Sequence, residues 1–178
     1  MSDALQALYE GDTERAQQLL PPDDRLSVFE AAAFGRTERL AAILSEDPSQ
    51  VAARSEDGFT ALHLAVFAKQ PKAARLLLDR GADVDALSTG QIARVPPLGT
   101  AVFVRSRQLA RLLLDAGADV NRQGAGGFTA LHTAAQSGDV ELVKLLLEHG
   151  ADPGLRASDG RRAVDQAQTD ELRALLTR

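Results

Sequence analysis

The residues best suited to chemistry in this 178-residue chain are its three histidines, His63, His132 and His149. They stand far apart in sequence, and none has the i, i+4 partner and glutamate that would place a metal and a base on one helix face. Cysteine is absent, which removes disulfides, thiolate zinc sites and thiol nucleophiles together. The glycine-rich run 124–128, GAGGF, lacks the Lys-Ser or Lys-Thr and the strand context of a phosphate loop. Its glycines suit a hairpin tip that needs positive φ. Carboxylates are many, but they fall at helix starts and in loops. Asp139 is one, placed where a negative charge complements a helix N-terminus. With no convergent nucleophile, base and orienting group, no catalytic residue, metal or cofactor is assigned, and the chain is not expected to be an enzyme.

Composition points the same way. The net charge is −5, which disfavours general nucleic-acid binding, since that needs Lys and Arg to displace phosphate counterions. The N-terminus lacks a basic-then-apolar secretory profile, and no apolar run approaches the roughly 20 residues that span a bilayer. A cytoplasmic monomer with no membrane partner is the expectation. Alanine and leucine number 31 and 27, against six Phe, one Tyr and no Trp. Two good helix formers thus make up about a third of the chain, so the core must be small residues and leucine, helix against helix.

The elements behind this composition repeat. Leu76-Leu77-Leu78 recurs as Leu112-Leu113-Leu114 and as Leu145-Leu146-Leu147, each followed by Gly-Ala-Asp at Gly81, Gly117 and Gly150. GFTALHLA at 58–65 returns as GFTALHTA at 127–134, with PPLGTAVF at 96–103 filling the same phase in degraded form. Each copy reads as turn, short helix, turn, longer helix. Thr60 and Thr129 suit N-caps. Gly138 separates a first helix from a second, and Gly81, Gly117 and Gly150 sit where a left-handed residue ends a helix. One such pair cannot bury both of its faces, so copies must stack.

The motifs Gly58-Phe59-Thr60-Ala61-Leu62-His63, Leu76–Leu78 and Gly81-Ala82-Asp83-Val84, repeated over 127–152, closely resemble the ankyrin repeat. Extending the phase through Gly35 and Gly11 carries the resemblance over nearly the whole chain. It implies a single all-α domain, 1–178, an ankyrin-repeat solenoid. Its parts are an N-terminal cap (1–22), four repeats (23–54, 55–88, 89–122 and 123–156) and a C-terminal cap (157–178). The resemblance also implies that His63 and His132 hydrogen-bond within and between repeats. It further implies a non-catalytic adaptor or regulator that binds a partner protein on its concave face.

The resemblance implies that partners meet the hairpin tips and the exposed side of the short helices, and in this register Tyr9, Phe67 and Phe103 share one such column, with Ala33 and Gln136 in the remaining copies. Phe34 and Val104 share the next. Phe59, Val95 and Phe128 precede the short helices, and Phe29 is the one internal phenylalanine. Contiguous exposed apolar residues mark interaction sites. The net charge by segment is −3, −2, −1, +3, −2 and 0. The positive segment, 89–122, contains Arg94, Arg105, Arg107, Arg111 and Arg122. It also departs most from the pattern, with Pro96 for the capping Thr, Gly99 for the His and a longer preceding hairpin carrying Ile92. The expected partner-binding residues are Phe34, Phe67, Ile92, Arg94, Phe103 and Arg105, facing a protein with an acidic segment. Drift in a tolerant loop is the alternative reading of that hairpin. Two other functions fit the same residues: a scaffold that homo-oligomerises through the aromatic stripe, and a small enzyme with an unrecognised site.

Overall fold

The computed structural model describes residues 2–90 and 94–177. Among the described residues are eleven α-helices, four 3-10 turns and no strand. They form two compact units, one of residues 2–83 with 88–90 and one of residues 84–87 with 94–177. No helix among these residues is long and apolar enough to cross a membrane.

The first unit contains three helix pairs: α1 (Asp3–Tyr9) and α2 (Thr13–Gln18), α3 (Val28–Ala33) and α4 (Thr37–Glu46), α5 (Ala61–Phe67) and α6 (Pro71–Asp79). Local chemistry starts several of these helices. The Asp12 carboxylate accepts from the Arg15 N–H at 3.0 Å, and Ser27 with Glu30 forms a reciprocal capping box at the head of α3. Thr60 accepts from the His63 N–H at the head of α5, while Pro71 opens α6, where its missing N–H costs nothing. The turn inside each pair passes through a left-handed residue: Gly11, Gly35 and, unexpectedly, Lys69 at φ 56°. Short helices line up as α1 on α3 on α5, and α4 lies against α6. Ala31, Ala32, Ala61 and Ala65 are completely buried along that row, and their small side chains let the helices approach closely. Leu40, Leu62 and Leu77 are the large side chains sealed between the layers.

The second unit contains α7 (Pro97–Phe103), α8 (Arg107–Asp115), α9 (Ala130–Ser137), α10 (Val140–Glu148) and α11 (Asp170–Leu176). Here α7 packs on α9, and α9 on the 3-10 turn Ala163–Gln166, which stands where a further short helix would lie; α8 packs on α10 and α10 on α11. The central leucine of each triplet, Leu113 and Leu146, has no exposure, and Leu112, Leu114 and Leu145 have little. Each such side chain contributes roughly 2 kcal/mol of burial. The loops are tied crosswise. Both oxygens of Asp85 accept from the Asp119 N–H at 3.0 and 3.1 Å. Asn121 donates to the Gly150 carbonyl at 3.2 Å and accepts from the Asp152 N–H at 2.8 Å. Gln123 donates to the Gly127 and Arg156 carbonyls at 2.9 and 3.0 Å.

Candidate interaction surface

The histidines are structural parts of this scaffold. At the head of α9 the Thr129 N–H donates to His132 Nδ1 at 3.3 Å, with Thr129 Oγ1 2.9 Å from the same nitrogen. A ring nitrogen that accepts a backbone proton leaves the ring proton on Nε2, and Nε2 donates to the Arg161 carbonyl at 3.1 Å. His63 repeats the local half of this arrangement with Thr60, at 3.3 and 2.8 Å. Both rings are about 1 % exposed and face the preceding phenylalanine, Phe59 at 5.7 Å and Phe128 at 5.4 Å. His149 Nδ1 donates to the Leu145 carbonyl at 2.8 Å at the end of α10. No group of three or more His, Asp or Glu converges as a metal site among the described residues.

The expected binding residues fare differently in the two units. In the first, Tyr9 meets Phe67 edge-on at 5.3 Å and Phe59 at 6.4 Å, and all three are half-buried. Burial, and then the neighbouring Asp57 carboxylate, push the Tyr9 phenol well above its ordinary pKa. The exposed column expected at 33 and 34 is not there. Ala33 is 1 % exposed, and Phe34 at 9 % packs with Ala4, Leu5, Ala7, Ala16 and Leu64. Phe34 is the C-cap residue of α3, and residues of α1 and α2 close over it. Phe29, expected inside, is only half-buried at the edge of the same cluster.

In the second unit Phe103, the last residue of α7, is 70 % exposed. Val104 after it is half-buried, and Arg105 follows with φ 53°. Arg105 therefore occupies the left-handed turn that Gly35 and Gly138 make in their copies. Its guanidinium donates to the Ser137 carbonyl, at the end of α9, at 2.8 Å. Register alignment with Gly35 and Gly138 was the signal for this turn role, masked by the arginine's charge. Arg107 pairs with Glu141 at 3.8 Å. Arg94 is exposed and, together with Arg122, lines a cavity of about 360 Å³ whose other walls are Leu87, Asp119, Asn121, Gln123 and Gly124. Ile92 lies outside the described residues. Gly124 is required for close approach: the next residue is joined to the long hairpin by the Ala125 N–H donating to the Arg94 carbonyl at 2.6 Å, and a Cβ at 124 would stand 2.6 Å from that oxygen.

Residues 3–88 and 93–169 match the family model described as ankyrin repeats, three copies. The chain is 43 % identical to the human B-cell lymphoma 3 protein over 106 residues, which is 58 % of this chain and 22 % of that protein. It is 34 % identical to mouse ankyrin repeat and SAM domain-containing protein 6 over 141 residues, 79 % of this chain and 12 % of that one. Against the bovine mitochondrial disaggregase it is 29 % identical over 156 residues, 88 % of this chain and 23 % of that one. The chain thus spans less than a quarter of the length of each of these curated relatives.

Proposed function

We propose, from the premise that this chain belongs to the ankyrin-repeat family, that it recognises a partner protein and performs no chemistry of its own. Ankyrin repeats are generic protein–protein interaction modules. The finer reading is that the partner docks on the ends of the short helices and the adjoining hairpins, the concave side that the family resemblance assigns, with Phe103 as an anchor. The observation that carries it is the 70 % exposure of Phe103 in a chain with only seven aromatics. Large aromatics held in water are costly unless a partner covers them, and aromatic anchors dominate interface energies. Arg105 supports the same site, because its bond to Ser137 holds the residues after Phe103 in place before any partner arrives. Preorganisation of this kind lowers the ordering cost of binding.

The test is quantitative capture from lysate of the source cells by the wild type and by Phe103→Ala. The side chain is exposed, so the variant is expected to keep its circular dichroism spectrum and melting temperature. Truncating a central anchor costs about 2 kcal/mol or more, so at least one retained protein should be lost roughly thirtyfold. Equal recovery of every specifically retained protein would overturn the reading. Sedimentation over a concentration series separates the competing reading: a dimer that Phe103→Ala dissolves would make the occupant a second copy of the chain.

A further inference from the structure

The positive charge of segment 89–122 is not used uniformly by the structure. Arg107 is paired with Glu141 at 3.8 Å, and Arg105 is spent on the Ser137 carbonyl at 2.8 Å. Elsewhere in the same unit Lys144 pairs with Glu141, Arg161 with Asp159, Arg162 with Asp165 and Arg173 with Asp170. Arg94 and Arg122 differ from these. Among the described residues neither has an acidic partner within 4.0 Å, yet both line the same cavity of about 360 Å³.

The walls of that cavity are built rather than loose. Asn121 and Gln123 spend their amides on the Gly150, Gly127 and Arg156 carbonyls and the Asp152 N–H. Asp119 is held at its backbone by Asp85, and its Oδ1 accepts from the Asn121 N–H at 2.9 Å. The loop at Gly124 approaches the backbone of Arg94 closely, and only glycine there admits the Arg94 carbonyl. Arg94 and Arg122 are the cationic residues of this lining and Asp119 is its one acidic residue. Two like charges in one concavity repel, and an anion between them turns that repulsion into two charge-assisted hydrogen bonds. With Asp119 also in the wall, the lining carries one net positive charge, which a single carboxylate neutralises, whereas a phosphate dianion would leave one negative charge in excess. A nucleic acid needs several phosphate contacts, and the chain at −5 repels a polyanion at longer range.

We propose that the Arg94–Arg122 cavity is a receptor for one Asp or Glu side chain in an acidic segment of the partner protein. This rests on the protein-recognition reading above and specifies the partner's chemistry. Arginine suits the role because its planar fork binds a carboxylate in two-point fashion, which lysine does not.

The experiment is fluorescence anisotropy of a fluorescein-labelled dodecapeptide alternating glutamate and serine, titrated with the full chain at about 50 mM salt, where surface charges are weakly screened. Saturable binding is expected, weakened about tenfold or more in R94Q/R122Q and changed less than about twofold in R107Q, whose arginine is already paired. The same peptide with glutamine for glutamate should not bind. Inorganic phosphate should compete no better than acetate at matched ionic strength. The proposal is overturned by absent binding to the wild type, by equal binding to R94Q/R122Q, or by phosphate displacing the peptide where acetate does not. All the substituted arginines are exposed, and matching melting curves check that the variants fold. The lysate capture separates the two readings. A partner lost with Phe103→Ala but retained by R94Q/R122Q removes the carboxylate receptor alone, whereas no Phe103 dependence removes the parent reading.

Discussion

The helix that starts at Ala130 and the helix that starts at Pro97 occupy the same place in their copies and begin by different means. At Ala130 the entrance is a buried polar network: Thr129, His132 and the Arg161 carbonyl, linked at 2.9 to 3.3 Å. At Pro97 the entrance is rigid backbone, with Pro96 at the N-cap position, Pro97 inside the first turn and no side-chain cap. Thr100 there bonds back to the Pro96 carbonyl, at 3.4 Å, and Gly99 stands where the histidine would be. The helices end differently too. Gly138 makes the left-handed turn after α9 at φ 74°, and Arg105 makes the equivalent turn after α7 at φ 53°. The network copy carries a half-buried Phe128 against its histidine, whereas the proline copy carries the exposed Phe103. With Pro96 and Gly99 at these positions, that copy has no Thr-His hydrogen bonds to satisfy. The unusual side chains of the second unit, Phe103, Arg105 and Arg94, all lie on it.

The comparison would break first at the histidine. His132→Ala removes the buried acceptor of the Thr129 N–H and the part-buried donor to the Arg161 carbonyl. A loss of about 3 kcal/mol is expected from the unsatisfied groups and the void, read from urea unfolding. A loss under about 1 kcal/mol would mean that the network is not what separates the two copies. Gly124→Ala tests the hairpin contact instead. Its Cβ would meet the Arg94 carbonyl at 2.6 Å, so the backbone must shift, with an expected cost of about 2 kcal/mol in the same assay.

Finer contrasts concern the turns and the helix interior. Nothing lies within 4 Å of a Cβ placed on Gly138, so Gly138→Ala isolates backbone strain. It should lower stability by about 1 kcal/mol, a penalty that Arg105 already bears in its own copy. A neutral Gly138→Ala would show that the left-handed turn costs little here. Gly99 has no positive φ, and its nearest neighbour to a new Cβ would be Pro96 Cδ at 3.4 Å, ordinary contact distance. Gly99→Ala is therefore expected to raise stability by about 0.5 kcal/mol, the gain from removing a glycine inside a helix, visible as a higher Tm.

What could be read from sequence was whatever depends on near neighbours along the chain. The Thr60 and Thr129 N-caps, the left-handed glycines at 81, 117 and 150, the break between helices at Gly138, the helix start at Asp139 and the leucine triplets follow from local hydrogen bonding and from helical period. These effects act within a few residues, so spacing alone reveals them. That all-helical architecture stands, and so does the structural place of His63 and His132. Side-chain exposure obeys a different rule, because it depends on what another segment lays over a residue. Phe34 looked like surface until α1 and α2 closed over it, and Phe103, with the same local pattern, stayed in water. Arg105 looked like a binding charge, and its backbone is a turn whose guanidinium reaches Ser137, 32 residues away. The joint place of Arg94 and Arg122 in one cavity belongs to the same class, whereas the excess of positive charge in segment 89–122 is a matter of residue types alone. Folding brings Arg107 to Glu141 and Arg94 and Arg122 to the lining of one cavity, and both depend on segments that meet only in space.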